Sequence, residues 1–228
     1  MENRFSRLAV NALFPRFCVH CGGEGGALCT TCKEAYWPPR RLAACPFCNQ
    51  PGTGATCSTC QERNYLDGVV SLWPYADSTF REALLNWKYY GDMSYWRVIE
   101  HWLRALLPMQ TWPCLAKQIV PLPLHKRRER WRGFNQADLI ARTLAETFDW
   151  EINPCLTRVA ATAGQAKTHS ARREVGDLDY AFAAKGAIPN AVWLCDDVFT
   201  SGATLDAAAR ALKEAGALQV WGFTLAHG

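Results

Sequence analysis

The sequence predicts an α/β protein in which a parallel sheet flanked by helices carries an amino-terminal module built on metal-binding cysteines. Three observations point there. Residues 118–228 alternate short apolar runs with amphipathic stretches of helical period, the pattern of parallel strands joined by helical crossovers. Eight of the eleven cysteines fall in the first 60 residues as four Cys-x-x-Cys pairs. Just after them the composition shifts from Cys, Gly and Pro to aromatic and aliphatic residues. The expected division is residues 1–66 as a double zinc-ribbon module and 67–228 as the sheet domain.

Each element has its own warrant. Residues 8–14 are apolar between basic flanks but lack the length and the small-residue cleavage site of a secretory signal. A short amphipathic helix over 4–14 is expected instead. Residues 69–75 read as a strand. Asp77 or Ser78 can cap a helix running to about Tyr89, and Ser94 a second one running to Leu107. Residues 118–123 form a short strand, and 135–148 a helix with Leu139, Ile140, Leu144 and Phe148 on one face. Residues 191–195 are a buried strand, 204–216 a helix closed by Gly216, and 219–227 the last strand.

Composition bounds the function classes. At 228 residues, 49% hydrophobic and 20% charged, the chain fills one ordinary domain plus an appendage and is no disordered tail. A net charge of +4 permits an anionic partner without demanding one. No apolar run approaches the roughly 18–20 residues of a membrane-spanning helix. A cytoplasmic protein is expected.

The cysteine pairs Cys18/Cys21, Cys29/Cys32, Cys45/Cys48 and Cys57/Cys60 share one tight spacing, which a disulfide framework would not need. A Cys-x-x-Cys turn aims two thiolates at one point, and two turns complete a tetrahedral zinc site with Zn–S bonds of about 2.3 Å. Seven residues separate the first two pairs and eight the last two, so each consecutive couple can close one ribbon. Eight ligands predict two zincs. Sequential pairing is expected, with first-with-third interleaving as the rival. Four thiolates leave no open coordination position, so both sites should be structural.

Near the C-terminus the order Val-Trp-Leu-Cys-Asp-Asp-Val-Phe-Thr-Ser-Gly-Ala-Thr runs from an apolar strand into an alanine-rich helix. The amides of Ser201, Gly202, Ala203 and Thr204, with the hydroxyls of Thr200, Ser201 and Thr204, can wrap a phosphate where the helix dipole favours an anion. Asp196 and Asp197 can accept from vicinal hydroxyls, so the stretch suits a ribose 5-phosphate. Taken alone, Asp-Asp beside Ser-Gly is also ordinary turn chemistry. No nucleoside-triphosphate P-loop is present. A second stretch holds Lys126, Arg127, Arg128, Arg130 and Arg132 against the single Glu129, beyond the first strand of the alternating region. Its guanidinium forks suit pyrophosphate. A solvated charged loop is the plain alternative. With Trp131 and Phe134 interleaved, single-stranded nucleic acid is a third.

These residues carry a resemblance. The acidic pair followed by Thr-Ser-Gly-Ala-Thr closely resembles the phosphoribosyl-pyrophosphate signature of type I phosphoribosyltransferases. Residues 119–145, with Pro-Leu-Pro, the basic loop and Arg-Gly-Phe-Asn-Gln, resemble the ComF family, competence-associated phosphoribosyltransferase-like proteins that include GntX. Arg158, Thr162, Gln165 and Phe182 match that family's mobile loop, and the cysteine pairs fit it too. The resemblance implies phosphoribosyl pyrophosphate, held with magnesium, as ligand of Asp196, Asp197, Thr200, Ser201, Gly202, Ala203 and Thr204. It implies that Arg128, Arg132, Gly133, Asn135 and Gln136 border the pyrophosphate.

Two departures stand out: Asp177 and Glu174 or Val175 replace the family's asparagine and arginine, and Cys195 replaces a common valine. Thr200 occupies the place of the purine-handling aspartate of salvage transferases, which disfavours a hypoxanthine/guanine-type reaction and leaves the acceptor unnamed. The resemblance implies either a phosphoribosyltransferase linked to DNA uptake or a non-catalytic protein of the uptake machinery. The latter would sense the pyrophosphate or hold single-stranded DNA at the inner face of the membrane. A zinc module used only for protein contacts, with the sheet domain as scaffold, is the third reading.

Overall fold

A computed structural model describes residues 17–41, 43–124, 130–159 and 181–228. The helix expected over 4–14, residues Lys126, Arg127, Arg128 and Glu129, and positions 162, 165, 174, 175 and 177 lie outside the described residues. Seven strands are present among those described: β1 (Gly68–Pro74), β2 (Gln118–Pro121), β3 (Glu151–Ile152), β4 (Leu156–Arg158), β5 (Phe182–Ala184), β6 (Ala191–Phe199) and β7 (Gln219–His227). Six α-helices accompany them. These are α1 (Thr30–Ala35), α2 (Ser58–Gln61), α3 (Ser78–Tyr90), α4 (Met93–Leu106), α5 (Gln136–Phe148) and α6 (Ala203–Glu214).

Five strands form one sheet in the order β1-β7-β6-β2-β3, every neighbour pairing parallel. Such strands are covered on both faces and read as continuous apolar runs, as Val192–Cys195 do, each buried. Side-chain alternation sends β6 residues to two cores. Trp193 and Cys195 join the α3, α4 and α5 residues Trp87, Ile99 and Ile140. Val192 and Leu194 join Leu205, Ala208 and Leu212 of α6. The β4–β5 hairpin is antiparallel and adds Leu156 and Phe182 to the second core. Of the ten tryptophans, only Trp37 and Trp131 expose a large face.

The helix signals hold with two shifts. Asp77 caps α3 by accepting from Phe80 N–H at 2.7 Å, and Gly91 ends it at φ +65°. For α4 the cap is Asp92, not Ser94. Its carboxylate accepts from Ser94 N–H at 2.9 Å, a stronger acceptor reaching the first turn from one position outside it. Asn135 caps α5. The strand expected over 191–195 runs on to Phe199, because the register with β7 continues through Asp196↔Thr224 to Phe199↔His227. The acidic pair therefore lies in the last turn of a strand rather than in a loop.

Candidate functional site

The cysteines group sequentially: Cys18, Cys21, Cys29 and Cys32 in one cluster, Cys45, Cys48, Cys57 and Cys60 in the other, with the sulfurs of each within 4.8 Å of one another. A tetrahedron with 2.3 Å bonds has edges of roughly 3.8 Å. Cys21 Sγ lies 3.8 Å from Cys29 Sγ, and Cys48 Sγ 3.7 Å from Cys57 Sγ. The donor set and its spacing fit zinc. Antiparallel bridges Phe17↔Glu24 and Ala44↔Pro51 shape the first knuckle of each ribbon, and α1 or α2 supplies the second.

The knuckles are also arranged electrostatically. Burial alone would push the Cys18 thiol up, but backbone N–H groups of Cys21, Cys29 and His20 bring it down to about 6. Cys45 repeats the arrangement: against burial, the amides of Cys57, Cys48 and Phe47 bring it to about 6. Donors aimed at sulfur favour the thiolate a metal needs. Their partners move the other way. A hydrogen bond with Cys29 and then burial raise Cys32, while burial and then Cys57 push Cys60 up to about 12.

The second site lies at the carboxyl ends of β6 and β2, where open α/β sheets place ligands. An open cavity of about 230 Å³, measured out to solvent, is lined by Asp196, Val198, Thr200, Gly202 and Thr204 among others. Its enclosed part is only about 30 Å³, room for about two water molecules, so it can take a small group at the end of a ligand with the remainder outside. Thr200 and Ser201 are exposed, Ala203 and Thr204 half-buried. Gly202 precedes α6 at φ +80° and is buried. A Cβ there would come within 2.4 Å of Phe199 and 2.8 Å of Phe47, so the missing side chain makes room for two rings. The first amides of a helix have no intrahelical acceptor; here Ala203 N–H makes only a long contact, 3.4 Å, to Ser201 Oγ.

The two acids diverge. Asp196 lines the cavity, while Asp197, 5% exposed, turns to the opposite face. There Lys88 Nζ of α3 meets both Asp197 carboxylate oxygens, at 2.9 and 2.8 Å. Burial and then the Asp197 charge push the Asp196 carboxyl up to about 7, against the Asp197 amide, Lys88 and Arg158. One carboxylate is thus tied to a lysine, and the other is raised toward neutrality.

The basic segment reaches the same edge. Asn135 donates to the Leu122 carbonyl at 3.1 Å, tying the start of α5 to the end of β2. Arg132 donates to Gln136 Oε1 at 3.0 Å, and Arg132 Nε and Gln136 Nε2 are buried with no hydrogen-bond partner among the described residues. Gly133 adopts φ +77°. The Arg132 guanidinium lies over the Tyr89 ring at 5.6 Å, and Tyr89 faces Trp131 at 6.5 Å.

Sequence reasoning missed Lys88 and Phe47. Each lies more than 100 residues from its partner, and no local pattern marks either.

Taken together, this is a parallel α/β protein with a candidate ligand cavity at a strand-to-helix turn and two four-cysteine ribbons. No protein-family model matches the chain. It is 38% identical over 208 residues to DNA utilization protein YhgH of Salmonella typhimurium, covering 85% of this chain and 88% of the relative. To competence protein ComFC of Bacillus subtilis it is 32% identical, over 79% of this chain and 76% of the relative. To competence protein F of Haemophilus influenzae it is 28% identical, over 92% and 96%. The chain belongs to the ComF family.

Proposed function

We propose that the chain binds phosphoribosyl pyrophosphate with magnesium at the carboxyl edge of the sheet and acts in DNA uptake or utilisation, as the names of its relatives indicate. The observation that carries this is the shared cavity: Asp196 and the turn residues Thr200, Gly202, Ala203 and Thr204 face one opening. In that arrangement the turn and the amino end of α6 take the 5-phosphate, and Asp196 accepts from the ribose hydroxyls. Asp197, neutralised by Lys88, sets the charge behind it. Arg132 and Gln136, each with a buried N–H lacking an acceptor among the described residues, border the pyrophosphate. Asp196, in the cavity wall, would help hold the magnesium, which would supply positive charge to offset that of the diphosphate. Calorimetry of phosphoribosyl pyrophosphate with magnesium tests the reading. Binding by the wild type and its loss in Asp196→Asn is the expected result; no binding by the wild type removes it.

One observation favours a second role. Tyr89 and Trp131 are exposed around Arg132, a cation-and-aromatic strip of the kind on which single-stranded bases stack. Binding of a labelled oligonucleotide should weaken with salt and fall several-fold in Trp131→Ala, at about 1–3 kcal/mol per stacked base. Equal binding by the variant would discard this role. Among the described residues no helix is long and apolar enough to cross a membrane.

A further inference from the structure

The two ribbons pack on different parts of the α/β body, and the second reaches the turn before α6. Phe47 stands inside the Cys45–Cys48 knuckle. Its ring meets Phe199 edge-on at 5.8 Å and occupies the space that a side chain on Gly202 would need. Residues following the ribbon grip the same helix. Asp206, in the first turn of α6, accepts from Tyr65 N–H at 2.7 Å and Leu66 N–H at 3.0 Å. Asp67 pairs with Lys213 at 2.8 Å near the other end of α6 and accepts from Val220 N–H of β7. A glycine at positive φ is conformationally permissive, so something other than its own backbone preference must hold this turn in one shape.

We propose that the second cysteine ribbon is the support of the phosphate-binding turn. Phe47, held by the Cys45–Cys48 knuckle, seats Phe199 and Gly202 so that the amides of residues 200–204 converge on an anion. Phe47 is thus a positioning residue, and metal in this ribbon sets the affinity of a site built from residues outside it. The ligand half of the inference rests on the reading given under Proposed function; the support itself does not. The first ribbon has no such role: its contacts run to α3 and α4 through Thr79, Asp77 and Trp102.

The test uses the full chain and Phe47→Ala, with Phe47→Leu as the conservative variant. Phe47 is only half-buried, so truncation should leave the fold and both zincs in place, checked by metal analysis. Amide hydrogen exchange over 199–205 should quicken about tenfold in Phe47→Ala and recover in Phe47→Leu. Ribose 5-phosphate, titrated by calorimetry, should bind about tenfold more weakly to Phe47→Ala and regain most of its affinity in Phe47→Leu. Unchanged exchange in a variant that keeps both zincs overturns the support, and unchanged affinity overturns its link to the ligand. If the wild type binds neither ribose 5-phosphate nor phosphoribosyl pyrophosphate with magnesium, the ligand reading falls and exchange alone decides the support.

Discussion

The two cysteine ribbons share a motif, a ligand set and a knuckle electrostatics, yet they are braced against opposite layers. The first places Cys18, Leu28 and Cys32 in the core of α3 and α4. There Tyr36 donates to the capping carboxylate of Asp77 at 2.5 Å and stacks near His20. Burial and then that carboxylate push the Tyr36 hydroxyl well above its ordinary value, so it stays a donor. The second ribbon holds the helix whose amino end faces the cavity. A repeated local motif can therefore carry unequal roles, because its contribution depends on what its non-ligand residues touch. The α3 layer reaches the site as well, but through one ion pair, Lys88 with Asp197.

The sharpest way to break this asymmetry is to remove one metal at a time. Cys45→Ser should cost one zinc and lower ribose 5-phosphate affinity at least about tenfold, because a ribbon without its metal loses the energy that folds it. Cys18→Ser should also cost one zinc and lower the melting temperature, while the folded fraction binds within about twofold of wild type. Equal losses in the two variants would erase the distinction. Next in size is Lys88→Met, which leaves the buried Asp197 carboxylate unpaired. A loss of about 2–3 kcal/mol in urea unfolding is expected, largely restored by adding Asp197→Asn.

Smaller effects separate the ribbons' anchors. Tyr36→Phe should cost about 1 kcal/mol without touching ligand affinity. Asp206→Ala should cost about 1–2 kcal/mol, since two amides lose one acceptor, and should also weaken the ligand. The smallest effect is a pH dependence. Asp196 titrates near 7 in the folded chain, against about 4 when unfolded. The folded state then holds a proton that the unfolded chain releases. This contribution is full below about pH 4 and is lost as pH rises through 7. Urea midpoints between pH 5 and 8 should fall less in Asp196→Asn than in wild type. In Lys88→Met, which lacks a cation that lowers this carboxyl, the Asp196 midpoint should move higher still, as carboxyl-carbon NMR would record.

Much of this was legible along the chain. The capping signal at Asp77, the helix over 136–148 and the apolar run 191–195 follow from one-dimensional rules of period and hydrogen bonding, although Asn135, read as helical, proves to be the cap of α5. Sequential cysteine grouping also followed, since loops of seven and eight residues close easily. The short strands β3, β4 and β5 did not, because two or three residues carry no period.

By itself the sequence determined the ligand types: thiolates in tight pairs, hydroxyls and amides before a helix, carboxylates at the end of a strand. These are properties of neighbours in the chain, set by backbone geometry over a few residues. Only the tertiary structure decided how the acids divide, with Asp196 to the cavity and Asp197 to Lys88, and which ribbon stands beneath the turn. Those outcomes depend on the parity of residues along a strand and on helices arriving from more than 100 residues away, and burial then gives each contact its strength.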